Sequence, residues 1–201
     1  MQYANDGTYL HRSINNLTWN TKLRLLEGIA NNLYVIHSKN LVHCDLHGGN
    51  IVLNDDISKT KGDVDPSVPF ICDFGLSQSA VSAESNLIVR DVFTIYCTPK
   101  VFRTCKSDIY VLGIIMYLIA SGESPFRDRE FDRNLVCDIM GGLRSLMPDS
   151  APEAYRKLAE ICCNDDPDKR PAIWEVNSRI SNLIRDAIKI TIYGMPYIVM
   201  M

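Results

Sequence analysis

Several absences narrow the reading before any motif does. No stretch is long and apolar enough to span a bilayer. The most hydrophobic run, Ile109 to Ala120, is roughly half of the ~20 residues required. That run is expected to be a buried helix, and no membrane partner is expected. Positive charge is not in excess: the formal net charge is −3, which argues against nucleic acid as the main partner. The seven cysteines (44, 72, 97, 105, 137, 162 and 163) contain no C-x-x-C pair. Adjacent Cys162-Cys163 is poor geometry for a disulfide or a zinc site. The odd cysteine count and an opening Met1 to Gly7 too polar for a secretory signal imply reduced thiols in the cytoplasm or nucleus. Internal repeats and low-complexity tracts are also lacking.

What is present is ordinary globular material. Hydrophobic residues make up 46% and charged residues 22% of 201 positions, enough for one sizeable domain or one lobe of a larger one. Asn5-Asp6-Gly7 is turn chemistry, and Thr8 can cap a short helix to about Ile14. Asn20 can cap a longer helix on which Leu26, Ile29, Ala30, Leu33, Ile36 and His37 form one stripe. His37 on that stripe reads as a packed core histidine rather than a ligand. Ile51-Val52-Leu53 and Phe70-Ile71-Cys72 read as two paired strands, with the polar 54–69 stretch as a solvated insertion between them. Residues 75–95 are serine-rich without strong periodicity, which suggests a mobile segment.

The second half reads as helical. Ser107 can cap a helix beginning at Asp108 that is apolar nearly all round, hence surrounded by protein. Ser121 to Pro125 ends it. An amphipathic helix is expected over about 129–140, stopped by Gly141-Gly142. Another opens near Pro152 and runs to about Cys163. The turn Asp165 to Pro171 leads to a last helix over 172–189, and an apolar tail follows. The sum is six or seven helices against two short strands.

The chemistry concentrates in Leu41 to Asn50 and in Asp73-Phe74-Gly75. Asp45 is followed by Asn50 with two glycines between them, and Asp73 ends a short apolar run. Two carboxylates and an amide, each beside a strand-like segment, suit a magnesium-phosphate site: their oxygens match a hard cation, and a spare aspartate can accept a proton from an attacking hydroxyl. Taken alone, each aspartate reads more readily as a surface or capping carboxylate.

In order along the chain, His43-Cys44-Asp45, Asn50 and Asp73-Phe74-Gly75 resemble the catalytic loop and metal-binding triplet of the protein kinase superfamily. Tyr96 to Lys100, Ser107 to Tyr110 with Gly113, and Asp168 to Pro171 resemble later landmarks of that family, with the flavour of its tyrosine-kinase-like group. The resemblance implies an α+β, protein-kinase-like fold. It would be a mainly helical C-terminal lobe over 1–190 with a two-stranded β-hairpin carrying both loops, followed by an apolar tail over 191–201. Met1 to Ala4 would be the hinge, with the N-terminal lobe absent.

The implied reaction is phosphoryl transfer from ATP to a serine, threonine or tyrosine hydroxyl of a protein. Asp45 and His47 would be catalytic, Asn50 and Asp73 would hold Mg2+, and Val52 would join them against the nucleotide. The resemblance also gives Asp108 a structural role, bracing the catalytic loop through hydrogen bonds.

The departures bear on activity and control. No Gly-rich loop, strand lysine or partner glutamate occurs, so half of the nucleotide pocket is missing and this chain alone is expected to be inactive. Relatives carry a lysine where this sequence has His47, and an arginine where it has Cys44. Lys100 replaces a glutamate that would pair with Arg170, which is expected to weaken anchoring of the preceding segment. Two alternatives stand beside the kinase reading. One is a pseudokinase-like binding or scaffold module. The other is a small-molecule phosphotransferase of the aminoglycoside or choline kinase kind, whose catalytic loop the stretch from His43 to Asn50 also resembles.

Overall fold

The structure is a computed structural model that describes residues 14, 17–53, 69–80, 104–130 and 132–193, the last four by backbone only. Within these, five α-helices carry the architecture: α1 (Trp19–Ser38), α2 (Cys105–Ser121), α3 (Arg133–Met140), α4 (Glu153–Cys162) and α5 (Ile173–Tyr193). Two 3-10 turns, Gly48–Asn50 and Pro167–Lys169, join them. Four two-residue strands complete the set: β1 (Leu41–Val42), β2 (Ile51–Val52), β3 (Phe70–Ile71) and β4 (Gln78–Ser79).

The expected pairing of β2 with β3 is present and antiparallel, with Ile51 opposite Ile71 and Val52 opposite Phe70. A single hairpin is not the whole of the β-structure, however. β1 pairs antiparallel with β4, Leu41 opposite Ser79 and Val42 opposite Gln78, in a second two-stranded sheet. β4 lies in the serine-rich segment that reads as mobile, because two residues are too few to show alternation. Its order comes from a partner distant in sequence, and Ala80 N–H extends the pairing by donating to Asn40 O at 2.8 Å.

Helix boundaries shift from the expected ones for identifiable reasons. α1 is capped by Thr18, whose hydroxyl accepts from Thr21 N–H at 3.3 Å, rather than by Asn20, whose Oδ1 is buried without a partner. Trp19 is drawn into the helix by an edge contact with Tyr155 on α4, ring centroids 5.3 Å apart. α2 begins one turn earlier than expected. Thr104 is its N-cap residue, and Ser107, on the first turn, accepts from Thr104 N–H at 3.2 Å. Gly122, in the left-handed region at φ 72°, closes that helix by donating to Leu118 O at 2.8 Å. α3 starts at Arg133, not near 129, because Asp132 caps it through Leu135 N–H at 2.9 Å. α5 runs to Tyr193 rather than ending near Lys189.

α2 is buried nearly all round, as its apolar run implies, with Leu112, Ile115, Met116 and Ile119 in the core. α1 packs extensively against α5, and α4 packs against α2. Two polar links fasten these layers. Tyr155 O–H donates to Met116 O at 2.8 Å. Lys22 Nζ donates to Ala120 O at 3.0 Å while lying over the Trp19 ring, and burial pulls its pKa down.

Arg170 is buried and stacks on Tyr110, its guanidinium 5.0 Å from the ring centroid. Its donors reach main-chain carbonyls: Nε to Asn164 O at 2.8 Å and Nη1 to Lys106 O at 3.0 Å. Lys100, its expected neighbour, lies outside the described residues, as do the Thr8 cap, the hinge at Met1 to Ala4 and Tyr96 to Pro99.

The β2–β3 sheet sits where it does because α1 lets it approach. A Cβ at Gly28 would meet Pro69 Cδ at 2.5 Å and Cγ at 2.6 Å, and a proline ring has little freedom to yield. Asn32 Nδ2 bridges the contact, donating to Gly28 O at 2.8 Å and Pro69 O at 2.9 Å. Gly28→Ala sets a helix-propensity gain of ~1 kcal/mol against an overpacking cost of about 1–3 kcal/mol. The clash prevails, so the melting temperature read by circular dichroism falls by several degrees.

Candidate active site

The segment after β1 turns back on itself, and Asp108 holds the turn. This carboxylate, on the first turn of α2, is only 2% exposed. Its Oδ2 accepts from His43 N–H at 2.9 Å and its Oδ1 from Cys44 N–H at 3.3 Å. The expected bracing role of Asp108 is thus realised. The bonds have a conformational consequence: Cys44 is held at φ 67°, in the left-handed region that disfavours side chains with a Cβ. The reversal brings Asp45 to the front of the loop, partly exposed.

His37 completes this anchor. Its Nε2 lies 2.9 Å from Asp108 Oδ2, and its side chain is 7% exposed. It is buried, as expected, but as the partner of a carboxylate rather than as apolar filling. Burial pulls the His37 pKa down; the Asp108 hydrogen bond and charge, with a smaller contribution from Cys105, outweigh that and lift it from 6.5 to about 9.

Four further bonds order this region, two within the loop and two joining it to the segment that leads into Asp73. Asn50 Nδ2 donates to Asp45 O at 2.8 Å. Only the amide nitrogen can donate to a carbonyl, so this contact fixes the side chain's orientation and reserves Oδ1 as an acceptor. Cys72 N–H donates to Asn50 O at 2.9 Å, continuing the β2–β3 pairing. The His43 ring bridges from the other side, with Nε2 3.0 Å from Cys72 O and Nδ1 accepting from Asp45 N–H at 3.3 Å. The proton therefore sits on Nε2. Phe74 lies against the same ring, centroids 5.1 Å apart.

Asp73, next to Cys72, is exposed and takes φ 61°. Its Oδ1 accepts from Gly75 N–H at 3.3 Å. Two non-glycine residues in left-handed conformations, one on each loop, mark backbone shaped for a task at a cost of order 1–3 kcal/mol each.

The remaining expected site residues fall as follows. His47 is the N-cap residue of the Gly48–Asn50 turn, its Nδ1 accepting from Gly49 N–H at 3.0 Å. Its ring thereby shapes the backbone leading to Asn50. Val52 is 41% exposed beside its cross-strand partner Phe70 at 47%, giving the β2–β3 sheet an apolar outer face.

Among the described residues, no three His, Cys, Asp or Glu side chains gather into a metal cage. An amide oxygen and an exposed carboxylate do fit a cation that keeps most of its shell as water and phosphate oxygens, which is magnesium's habit. Sequence reasoning did not single out the bridge between His43 and Cys72, nor Ser77, whose hydroxyl donates to His43 O at 3.2 Å. Nothing local marks these contacts, because they join segments about thirty residues apart.

A braced loop aspartate, an oriented amide and an exposed aspartate just after β3 supply oxygen donors of the kind that suit a divalent cation and phosphate. The protein kinase domain family matches residues 1–179; the chain belongs to that family. It is 27% identical to a probable serine/threonine-protein kinase, qkgA, of Dictyostelium discoideum, over 98% of this chain and 13% of that protein. Identity is 28% to a second probable serine/threonine-protein kinase of that organism, roco9, over 87% of this chain and 5% of the relative. It is 29% to the mast/stem cell growth factor receptor kita of Danio rerio, over 80% of this chain and 16% of the receptor. The chain therefore spans a small fraction of each of these relatives.

Because the folded pKa of His37 is raised, the stability its ion pair contributes is fully present below pH 6.5 and is lost as pH rises through about 9. Urea unfolding of the wild type and His37→Gln at pH 6, 8 and 10 reads this out. The two differ most at pH 6 and converge by pH 10.

Proposed function

We propose that this chain is the C-terminal lobe of a protein kinase domain that, when complete, passes the γ-phosphoryl group of ATP to a hydroxyl on a protein. The observation that carries the reading is the bond from Asn50 Nδ2 to Asp45 O at 2.8 Å, continued by Cys72 N–H to Asn50 O at 2.9 Å. These bonds couple the loop that would receive the substrate to the strand that would meet the phosphates.

Asp45 accepts the hydrogen bond of the incoming hydroxyl and takes its proton as the oxygen attacks. Asn50 Oδ1 and the Asp73 carboxylate are the groups that would hold magnesium. Bound with the nucleotide, that ion would neutralise charge on the phosphates. His47 acts through the backbone, keeping the turn before Asn50 closed. Val52 and Phe70 offer an apolar face on which a purine ring can rest. Asp108 and His37 are positioning residues that keep the loop reversed while Asp45 works.

None of the six described cysteines is in a disulfide, as suits a cytoplasmic or nuclear setting; no helix among the described residues is long and apolar enough to cross a membrane.

Titrating the protein with ATP in the presence and absence of magnesium tests the nucleotide site. Magnesium-ATP raises the melting temperature, and Asp73→Asn removes the magnesium-dependent part. Transfer of labelled phosphate from ATP to myelin basic protein, measured with a kinase N-terminal lobe fused ahead of this chain, tests the chemistry. Asp45→Asn lowers the transfer rate by about 10²–10⁴-fold while leaving magnesium-ATP binding in place. Absence of any magnesium-dependent binding would leave a non-catalytic binding module instead.

A further inference from the structure

All four polar atoms of the buried residue His43 are committed. Two of them serve the Asp45 loop and its anchor. The main-chain N–H donates to Asp108 Oδ2 at 2.9 Å, and ring Nδ1 accepts from Asp45 N–H at 3.3 Å. The other two reach a different segment. Ring Nε2 lies 3.0 Å from Cys72 O, and the main-chain carbonyl accepts from Ser77 Oγ at 3.2 Å.

Cys72 and Ser77 are thus the two feet of a short arch, and Asp73 directly follows the leading foot. Phe74, between the feet in sequence, lies against the His43 ring with centroids 5.1 Å apart. Ser77 N–H closes the trailing turn by donating to Phe74 O at 3.0 Å. One buried residue grips both ends of the segment that carries the Asp73 carboxylate.

The feet are not equally secure. Cys72 has a second hold, because its N–H donates to Asn50 O at 2.9 Å in continuation of the β2–β3 pairing. Ser77 is followed by β4, which pairs with β1 over only two residues. So short a pairing is marginal by itself. The Ser77 hydroxyl ties the trailing foot to the same residue that holds the leading one.

Asp73 depends on both feet. Its φ of 61° lies in the left-handed region, and a residue with a Cβ keeps that conformation only where its surroundings over-determine it. Asp73 is exposed, so core packing does not aim its side chain. Its own side-chain bond is local, with Oδ1 accepting from Gly75 N–H at 3.3 Å. The backbone sets where the carboxylate points, and the arch's feet set the backbone.

We propose that Ser77 is a positioning residue for Asp73: its hydroxyl, by holding the trailing foot on His43, fixes the carboxylate where a divalent cation meets it. The cation rests on the reading of Asp73 as a metal ligand; the hold on the arch does not.

Two measurements keep these apart. In ligand-free, ¹⁵N-labelled protein, solvent exchange of the Gly75 and position-77 amides rises about five-fold in Ser77→Ala, the factor for one neutral hydrogen bond. The amides of Leu112 and Ile115 within α2 are unchanged. With ATP fixed, the magnesium concentration giving half of the rise in melting temperature increases about five-fold in the same variant. Ser77→Thr keeps the hydroxyl and restores both values. A residue that only stabilised the fold would lower the ligand-free melting temperature and leave the magnesium midpoint unmoved. Should Ser77→Ala fail to fold by circular dichroism, Ser77→Cys replaces it, close in size with a much weaker donor.

Unchanged Gly75 exchange overturns the proposal, because the β1–β4 pairing would then suffice. So does a magnesium midpoint that stays put while exchange rises, or a threonine that restores neither. A wild type without any magnesium-dependent response defeats the phosphoryl-transfer reading instead. Ser77 as the residue that holds Asp73 then stands or falls on exchange alone.

Discussion

A carboxylate buried in the first turn of α2 governs the geometry of the candidate site. Asp108 accepts two backbone N–H groups from the reversing loop and faces the His37 ring. A buried charge is stable only where hydrogen bonds and counter-charge compensate it, and here the compensation comes from the loop that carries Asp45. The loop conformation and the burial of Asp108 are therefore one energetic event. Removing either partner would leave an uncompensated group in the interior.

The left-handed backbone at Cys44 and Asp73 follows from that arrangement. Neither residue favours positive φ intrinsically, and each is flanked by bonds to another segment. His43 serves as the strut between them, its ring fixed by Cys72 O on one nitrogen and Asp45 N–H on the other. The proposed transfer would gain from such rigidity, since orientation contributes much of the barrier reduction in phosphoryl transfer. Cys44 also shows that the reversal does not depend on the arginine familiar in relatives, because Asp108 binds the backbone at this position and not the side chain.

The scaffold behind the loop is shaped by close approach. Gly28 lets α1 meet Pro69. Gly113 does the same for α2 and α4, where a Cβ would collide with Cys163 Sγ. The second approach brings α4 near enough for Tyr155 to bond Met116 O. It also leaves an adjoining cleft bounded by both helices and the 143–147 segment.

Much of this was legible in the residues alone. The apolar run from Ile109 predicts a buried helix because a helix without a polar face must be surrounded by protein. The order of Asp45, Asn50 and Asp73 is the basis of the proposed phosphate chemistry, because the donor types suit a hard cation. Sequence could not choose Thr18 over Asn20 as a cap, since the choice turns on Trp19 meeting Tyr155 more than a hundred residues away. Nor could it find β4, whose two residues are ordered only by β1. It left His37 as core filling, whereas the fold pairs it with Asp108 across 71 positions. Local pattern reports what each segment can become; which groups lose their water together, and so must satisfy one another, is decided only when distant segments pack.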